Sequence, residues 1–474
     1  MRVRQAVAAT SGAAFLLALT LGAAGPATAT GAARSLRPAH AGALGRLALP
    51  HGARATFASA SPPTDAQCRA ATSEPCYSPQ EIRRAYGVDQ LLARGDQGRG
   101  QTIVIVDSYG SPTITKDLAT FDAGYGLPAP PSFRILAPLG TVPYNPAKYP
   151  DQPSWAAETT LDVEWAHAMA PRASIVLMTS PVDETEGVQG LPQFNALENF
   201  ALNHRLGQVI SQSWGATENT LFTRAGKRVF RSFEATYARA ARMGVTVLAS
   251  TGDAGTANVD VSGKIYPFPT VNFPASSPLV TAVGGTSLMA DTQGNYQSET
   301  VWNSDGGATG GGISQFFGEP FYQRFLPASA QKLLGNHRGI PDISWNADPN
   351  TPILIYLSFL GASRAGYYTI GGTSEGSPDW AGLVADVDQL AHHGVGLLNP
   401  YLYALGHAGI GYHDVTLGNN GLDGIPGYNA GPGWDAATGW GTPNLGALVI
   451  SIAHLAQGHP SEKTLLSRAE SLRR

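Results

Sequence analysis

Only 14% of the 474 residues are charged, and only two are cysteines, Cys68 and Cys76. So few thiols exclude a disulfide scaffold and a cysteine-built metal centre. The formal net charge of -4, with no Lys/Arg-rich run, excludes nucleic acid as the natural partner. Long hydrophobic runs are also missing. No stretch reaches the ~18 unbroken apolar residues of a membrane-spanning helix. What remains is a chain 43% apolar that can bury a large core, with 56 glycines and 34 prolines spread through many turns.

The N-terminus reads as an address. Met1-Arg2-Val3-Arg4 is basic, Ala13 to Ala24 is apolar, and Ala27-Thr28-Ala29 is a small-residue cleavage site. Residues 1–29 are therefore expected to be a signal peptide and the mature chain to be secreted, extracellular and monomeric. In an oxidising compartment Cys68 and Cys76 are expected to close a small local loop, two free thiols being the alternative. Residues 30–75, rich in Ala, Gly, Ser, Arg and Pro without sustained periodicity, read as a short leader or linker that carries this loop. Order is expected to begin near Ser78-Pro79-Gln80-Glu81, a capping box with proline at the first helical position. A globular domain over residues 76–455 follows, then a polar, basic tail over 456–474 to which no role is assigned.

Gln101 to Asp107 is a nearly continuous β-branched run of the kind buried on both faces of a parallel sheet. Similar runs recur at Ala173 to Met178, Gln208 to Ser211, Val245 to Ala249 and Pro352 to Leu357. Helical patterns lie between them, such as Phe230, Phe233, Tyr237 and Ala241 before Gly244. The fold class is α/β, a parallel central sheet with helices on both faces, and its site belongs beyond the carboxyl ends of the strands.

Chemistry concentrates in Gly371-Gly372-Thr373-Ser374-Glu375-Gly376-Ser377-Pro378-Asp379-Trp380, a serine at the start of an apolar helix. Unpaired N–H groups and the helix dipole there favour an anion such as the oxygen of a tetrahedral acyl intermediate. Taken alone, Ser374 is more often a helix cap. Asp107, at the end of a buried strand, invites a Ser/His/Asp triad, but no histidine opens a helix in an H-G-T-H setting between Asp107 and Ser374. His51 precedes Asp107, and His167, His204 and His337 have no helix-opening glycine beside them.

Two carboxylates stand in the histidine's stead. Within Trp155 to Pro171, Glu158 and Asp162 are one helical turn apart on one face, whereas Leu161, Trp165 and Ala168 form a packing face. On a solvated surface such a pair means little. If buried, two ionised carboxylates about 4 Å apart at an effective dielectric near 20 repel by about 4 kcal/mol. They would then share one proton and could take another from a serine hydroxyl in acid, where histidine is already charged. A third acid, Asp253 in Ser250-Thr251-Gly252-Asp253, follows a buried strand. It is a turn former or, when protonated, a donor to an oxyanion.

Glu158 with Asp162, then Asp253, then Ser374 in G-T-S-x-x-x-P together resemble the sedolisin, or serine-carboxyl peptidase, family. Ser211-Gln212-Ser213-Trp214-Gly215, Gly310-Gly311-Gly312-Ile313-Ser314 and Ile340-Pro341-Asp342-Ile343-Ser344 extend the resemblance. It implies a subtilisin-like fold acting on protein or peptide substrates, a serine-type endopeptidase. Ser374 would be the nucleophile, Glu158 the general base, Asp162 its partner and Asp253 the oxyanion donor. The resemblance also covers Tyr412 to Thr416 and Gly427 to Asp435. There it implies one structural calcium ion (Ca2+), held by the side chains of Asp414 and Asp435 and the carbonyls of Val415, Gly431 and Gly433. Two carboxylates flanking glycine carbonyls suit such a hard cation. Without the resemblance the segment is a turn-rich loop.

Two departures stand out. Gly371 replaces the first serine of the family's S-G-T-S. Family members generally carry a long inhibitory prodomain, and no full-length one is expected between the signal peptide and Ser78. The competing reading is an exported binding protein on a decayed protease scaffold, against which all four chemical positions being filled counts.

Overall fold

Seven parallel strands, all but one edge strand largely buried on both faces, form the frame of the molecule, and an eighth hairpins back on one of them. The computed structural model describes residues 61–457 and, beyond them, Thr464, Arg468, Ser471 and Leu472. The expected signal peptide, most of the expected leader and most of the tail lie outside the described residues.

The strands are β1 (Thr102–Ser108), β2 (Phe133–Leu136), β3 (Ser174–Ser180), β4 (Val209–Gln212), β5 (Thr246–Ser250), β6 (Thr281–Ala290), β7 (Tyr296–Val301) and β8 (Ile343–Asn346). They lie in the order β8-β6-β5-β4-β1-β3-β2, every pair parallel, with β7 antiparallel to β6. Parallel pairing places both faces under helices, which is why β1 and β3 are almost unbroken Ile/Val/Leu.

The pleat sorts each strand onto two cores. Ile103, Ile105, Ile175, Leu177, Val209 and Leu248 enter one, against helices α3 (Gln152–Met169) and α6 (Gly376–Ala391). Val104, Val106, Val176, Met178, Ile210 and Val247 enter the other, against α4 (Leu191–His204) and α5 (Arg224–Arg242). The expected α/β architecture, a parallel sheet with helices on both faces, is the one observed.

Two expectations need correction. Ile353–Leu357 is a buried strand, but it pairs antiparallel with Gly366–Ile370 in a separate two-stranded sheet. Nor does order begin at Ser78. Helix α1 (Asp65–Thr72) precedes it, capped by Thr64 and Gln67 and tied to the body by a Cys68–Cys76 disulfide whose Cα atoms are 5.8 Å apart. The buried Asp65 carboxylate also accepts a hydrogen bond from the Cys76 amide at 3.2 Å. The disulfide is as expected, and so is α2 (Pro79–Tyr86) with its Ser78/Glu81 capping box. Among the described residues no helix is long and apolar enough to cross a membrane.

Candidate active site

Helix α3 is not amphipathic. Apart from Pro153, partly exposed in its first turn, every residue from Gln152 to Met169 is buried, the acids included. The solvated reading of the Glu158/Asp162 pair is therefore ruled out, Glu158 being 4% and Asp162 0% exposed. Against α3 lies α6, which Gly382 allows close: a Cβ at this glycine would sit 2.5 Å from the Met169 Cβ. This contact sets the amino end of α6, and so Ser374, beside the acid pair.

Ser374 does not cap its helix. The cap position is Glu375, which makes no side-chain cap bond. The Ser374 hydroxyl instead lies beside the Glu158 carboxylate, where it favours the ionised form. Burial holds Glu158 well above the ordinary carboxylate range, the neighbouring Ser374 hydroxyl opposes the rise, and the charges of Asp107 and Asp253 add to it. Asp162 is likewise raised by burial, then by Asp107 and Glu158, and eased by the Ser213 hydroxyl, which donates to its Oδ1 at 2.9 Å. The same hydroxyl lies 3.3 Å from the Ser374 carbonyl oxygen.

Asp253 anchors the other side of the serine. Its Oδ1 accepts from both the backbone amide and the hydroxyl of Thr373 at 2.8 Å, and the Gly252 amide donates to the Thr373 hydroxyl at 2.9 Å. The structure thus brings together all four of Ser374, Glu158, Asp162 and Asp253. His167 lies elsewhere, its Nε2 2.8 Å from the Pro128 carbonyl and 3.3 Å from Asp122.

One member of the site is not among the sequence candidates. Asp107, which the sequence offers only as the acid of a triad that lacks its histidine, is a third buried carboxyl of the Glu158/Asp162 group. Neither of its oxygens makes a well-formed hydrogen bond, the Thr159 hydroxyl lies alongside, and burial pushes it to about 7. The signal was in the strand period: Ile103, Ile105 and Asp107 share the face that looks at α3. Val209 and Ser211 do the same from β4, with Ser213 just past its end, and Ser211 reaches the Ser377 hydroxyl of α6 at 2.9 Å.

No family model matches the chain. Kumamolisin of Bacillus sp. (strain MN-32) is 35% identical over 350 residues, covering 73% of this chain and 58% of its own length. Sedolisin of Pseudomonas sp. (strain 101) is 31% identical over 369 residues, 76% of this chain and 59% of that protein. The solved Pseudomonas sedolisin (serine-carboxyl proteinase), complexed with two molecules of pseudo-iodotyrostatin, superposes with a TM-score of 0.67 at 28% identity. It aligns with 82% of this chain and 100% of its own. The chain belongs to the sedolisin family. Its subtilisin-like α/β fold is that of sedolisin itself. Human tripeptidyl-peptidase 1, 31% identical over 312 residues, is a further relative, matched over 62% of this chain and 51% of its own. The chain therefore spans less than three-fifths of the length of these relatives.

The family binds calcium in general, so the C-terminal loop was tested for its fit to that ion. Asp414 Oδ2 accepts from the Gly433 amide and Asp435 Oδ2 from the Gly431 amide, both at 2.9 Å. Asp435 Oδ1 takes the Ala437 and Thr438 amides at 2.9 and 2.8 Å. Burial raises Asp414 and carries Asp435 to about 6. Among the described residues neither acid forms an ion pair, and no backbone amide donates to the carbonyls of Val415, Gly431 or Gly433. A Cβ on Gly431 would touch nothing within 4 Å. Two carboxylates without a counter-cation, three open carbonyls and space beside them fit a hard cation. Among the described residues no group of three or more His, Cys, Asp or Glu does so, and the ion would depend on backbone oxygens.

Proposed function

We propose that this chain is a secreted serine-carboxyl endopeptidase that hydrolyses peptide bonds of proteins at acidic pH. The observation that carries this reading is the placing of the Ser374 hydroxyl beside Glu158, a buried carboxyl one helical turn from a second. Ser374 is the nucleophile. As its Oγ attacks the substrate carbonyl carbon, its proton passes to Glu158. The buried acids Glu158, Asp162 and Asp107 titrate as one group, because each ionisation opposes the next. The charge the group does carry is favoured on Glu158 by Ser374 and on Asp162 by Ser213. This leaves a base that survives in acid, where imidazole does not.

The tetrahedral oxyanion forms beside Asp253, whose protonated carboxyl donates to it. Glu158 then returns its proton to the leaving amine as the C–N bond breaks, which leaves an acyl ester on Ser374. Water, deprotonated by the same Glu158, releases the acid. The test is digestion of a denatured protein between about pH 3 and 7, beside Ser374→Ala. Cleavage by the native chain alone is expected; cleavage by both proteins, or by neither, would overturn the assignment.

Asp414, Asp435 and the carbonyls of Val415, Gly431 and Gly433 would hold one calcium ion, which when bound ties the C-terminal loop to the body. An ion that binds only the folded chain stabilises it. A chelator at pH 7 should lower the melting temperature of the native protein and leave that of Asp414→Ala unchanged. An unaltered native melt argues against the site. Since Asp435 titrates near 6, the ion's contribution fades as pH falls below that value.

A further inference from the structure

At the carboxyl end of β3 the loop Val182-Asp183-Glu184-Thr185-Glu186 carries three acids within four residues, and a fourth, Asp151, stands at the start of α3. Glu184 is the anomaly. It is 1% exposed, and neither of its carboxyl oxygens has a hydrogen-bond partner. Burying a carboxyl without partners is costly, and such a group calls for something that binds there. Its electrostatic neighbours are Glu186 and Asp183, both acids. Among the described residues none of the four acids forms an ion pair. The cluster is built for a positive charge that this chain does not supply.

Its position ties it to the catalytic groups. Asp183 Oδ1 accepts from the Trp155 indole N–H at 2.5 Å, and Trp155 precedes Glu158 by three residues, about 5 Å along the helix. Glu186 accepts from the Thr217 amide and hydroxyl, both at 2.8 Å, four residues beyond Ser213. The acids therefore lie between the two segments that deliver Glu158 and the Ser213 hydroxyl, on the sheet edge where Ser374 emerges. We propose that Asp183, Glu184 and Glu186, with Asp151 beside them, form a subsite for a cationic group of the peptide substrate, a primary ammonium or a guanidinium.

This rests on the peptidase reading but concerns recognition, not the chemical step. The groups facing the cluster are Asp151 from α3, the Tyr109 hydroxyl from the end of β1, and Asp260 from the loop after β5. None is cationic. Burial holds Asp183 and Glu186 near 7 and Glu184 well above the ordinary range. A bound cation favours their ionised forms, so protons compete with it. Preference for the cation strengthens as pH rises towards 7 and fades towards 4.

Peptides of one length, with lysine, arginine or norleucine placed at each position in turn, and with free or acetylated amino termini, provide the test. At pH 6 one basic position should raise kcat/KM about ten-fold over norleucine, as a charge-assisted contact does. The ratio should fall at pH 4 and in Glu184→Gln and Asp183→Asn. A preference for lysine or arginine assigns the subsite to a side chain; a preference for the free over the acetylated terminus assigns it to the peptide's end. Affinity of Ser374→Ala for the same peptides needs no turnover. Preferential binding of the cationic peptides there, even if the native chain cleaves nothing, upholds the subsite while the peptidase reading falls. Equal kcat/KM and equal affinity for lysine and norleucine at every position, with no effect of the free terminus, overturn it, as does a ratio unchanged in both variants.

Discussion

Glu158 is the residue on which the chemistry turns, and its surroundings separate a base from a structural acid. A carboxyl kept only for packing would be better replaced by its amide, since a neutral isostere escapes the desolvation that raises Glu158. A carboxyl kept for proton transfer cannot be replaced so. Glu158→Gln should therefore lower kcat/KM by at least about 10²-fold, the scale of general-base catalysis. Its thermal midpoint at pH 7 should stay level or rise, because the variant no longer has a buried group to ionise. Kinetics and melting curves on one preparation check both halves. Activity retained near neutral pH would favour a histidine base instead. From the sequence, the spacing of Glu158 and Asp162 gave their shared face, but their burial was not legible. A helix hidden on all sides carries no hydrophobic stripe to announce it, and α3 mixes Glu, Asp, Thr, His and Trp at 0–4% exposure.

Among the elements, the pairing of α3 with α6 decides whether base and nucleophile meet. Gly382 is the point of closest approach, where a Cβ would meet the Met169 Cβ at 2.5 Å and the Ala166 carbonyl oxygen at 3.2 Å. Both neighbours belong to a fully buried helix that cannot yield, so Gly382→Ala must lift α6 off α3. The expected loss of stability is about 1–3 kcal/mol, as for other overpacked cores. Activity should fall further than stability explains, since a shift of about 1 Å in a reacting pair can lower rates about 10²-fold. Denaturant melts and kcat/KM measured well below the melting temperature check this; a variant of native activity would mean that α6 is not the positioning element. Elements were legible where one force formed them, as in the Ile/Val runs of β1, β3, β4 and β5. They were missed where several shared the work. Strand β6 interrupts its apolar residues with Gly284, Gly285 and Thr286, and α1 rests on a cap and a disulfide more than on its apolar face.

Across the whole molecule, the buried acids far outnumber the buried bases. Burial raises Glu158, Asp162, Glu164, Glu198, Glu375, Asp379 and Asp386 well above the carboxylate range and carries Asp107, Glu234 and Glu299 to about 7. Against them stand two buried arginines among the described residues, Arg83 and Arg338, the latter paired with Asp342 at 2.6 Å, and the buried His167 beside Asp122. Between about pH 4 and 7 the native state holds protons that the unfolded chain has released, so stability must fall as pH rises through that window. A single acid held near 7 against an ordinary value near 4 amounts to about 4 kcal/mol by pH 8. For a chain of this size that is about 4–5 °C in melting temperature. The midpoint should therefore be at least that much higher at pH 4.5 than at pH 8, measured with calcium saturating throughout, because loss of the ion in acid acts in the opposite direction. A midpoint that is flat or climbs towards pH 8 would mean that these carboxyls are ionised in the native fold, and a site that depends on a proton shared among Glu158, Asp162 and Asp107 could not then form.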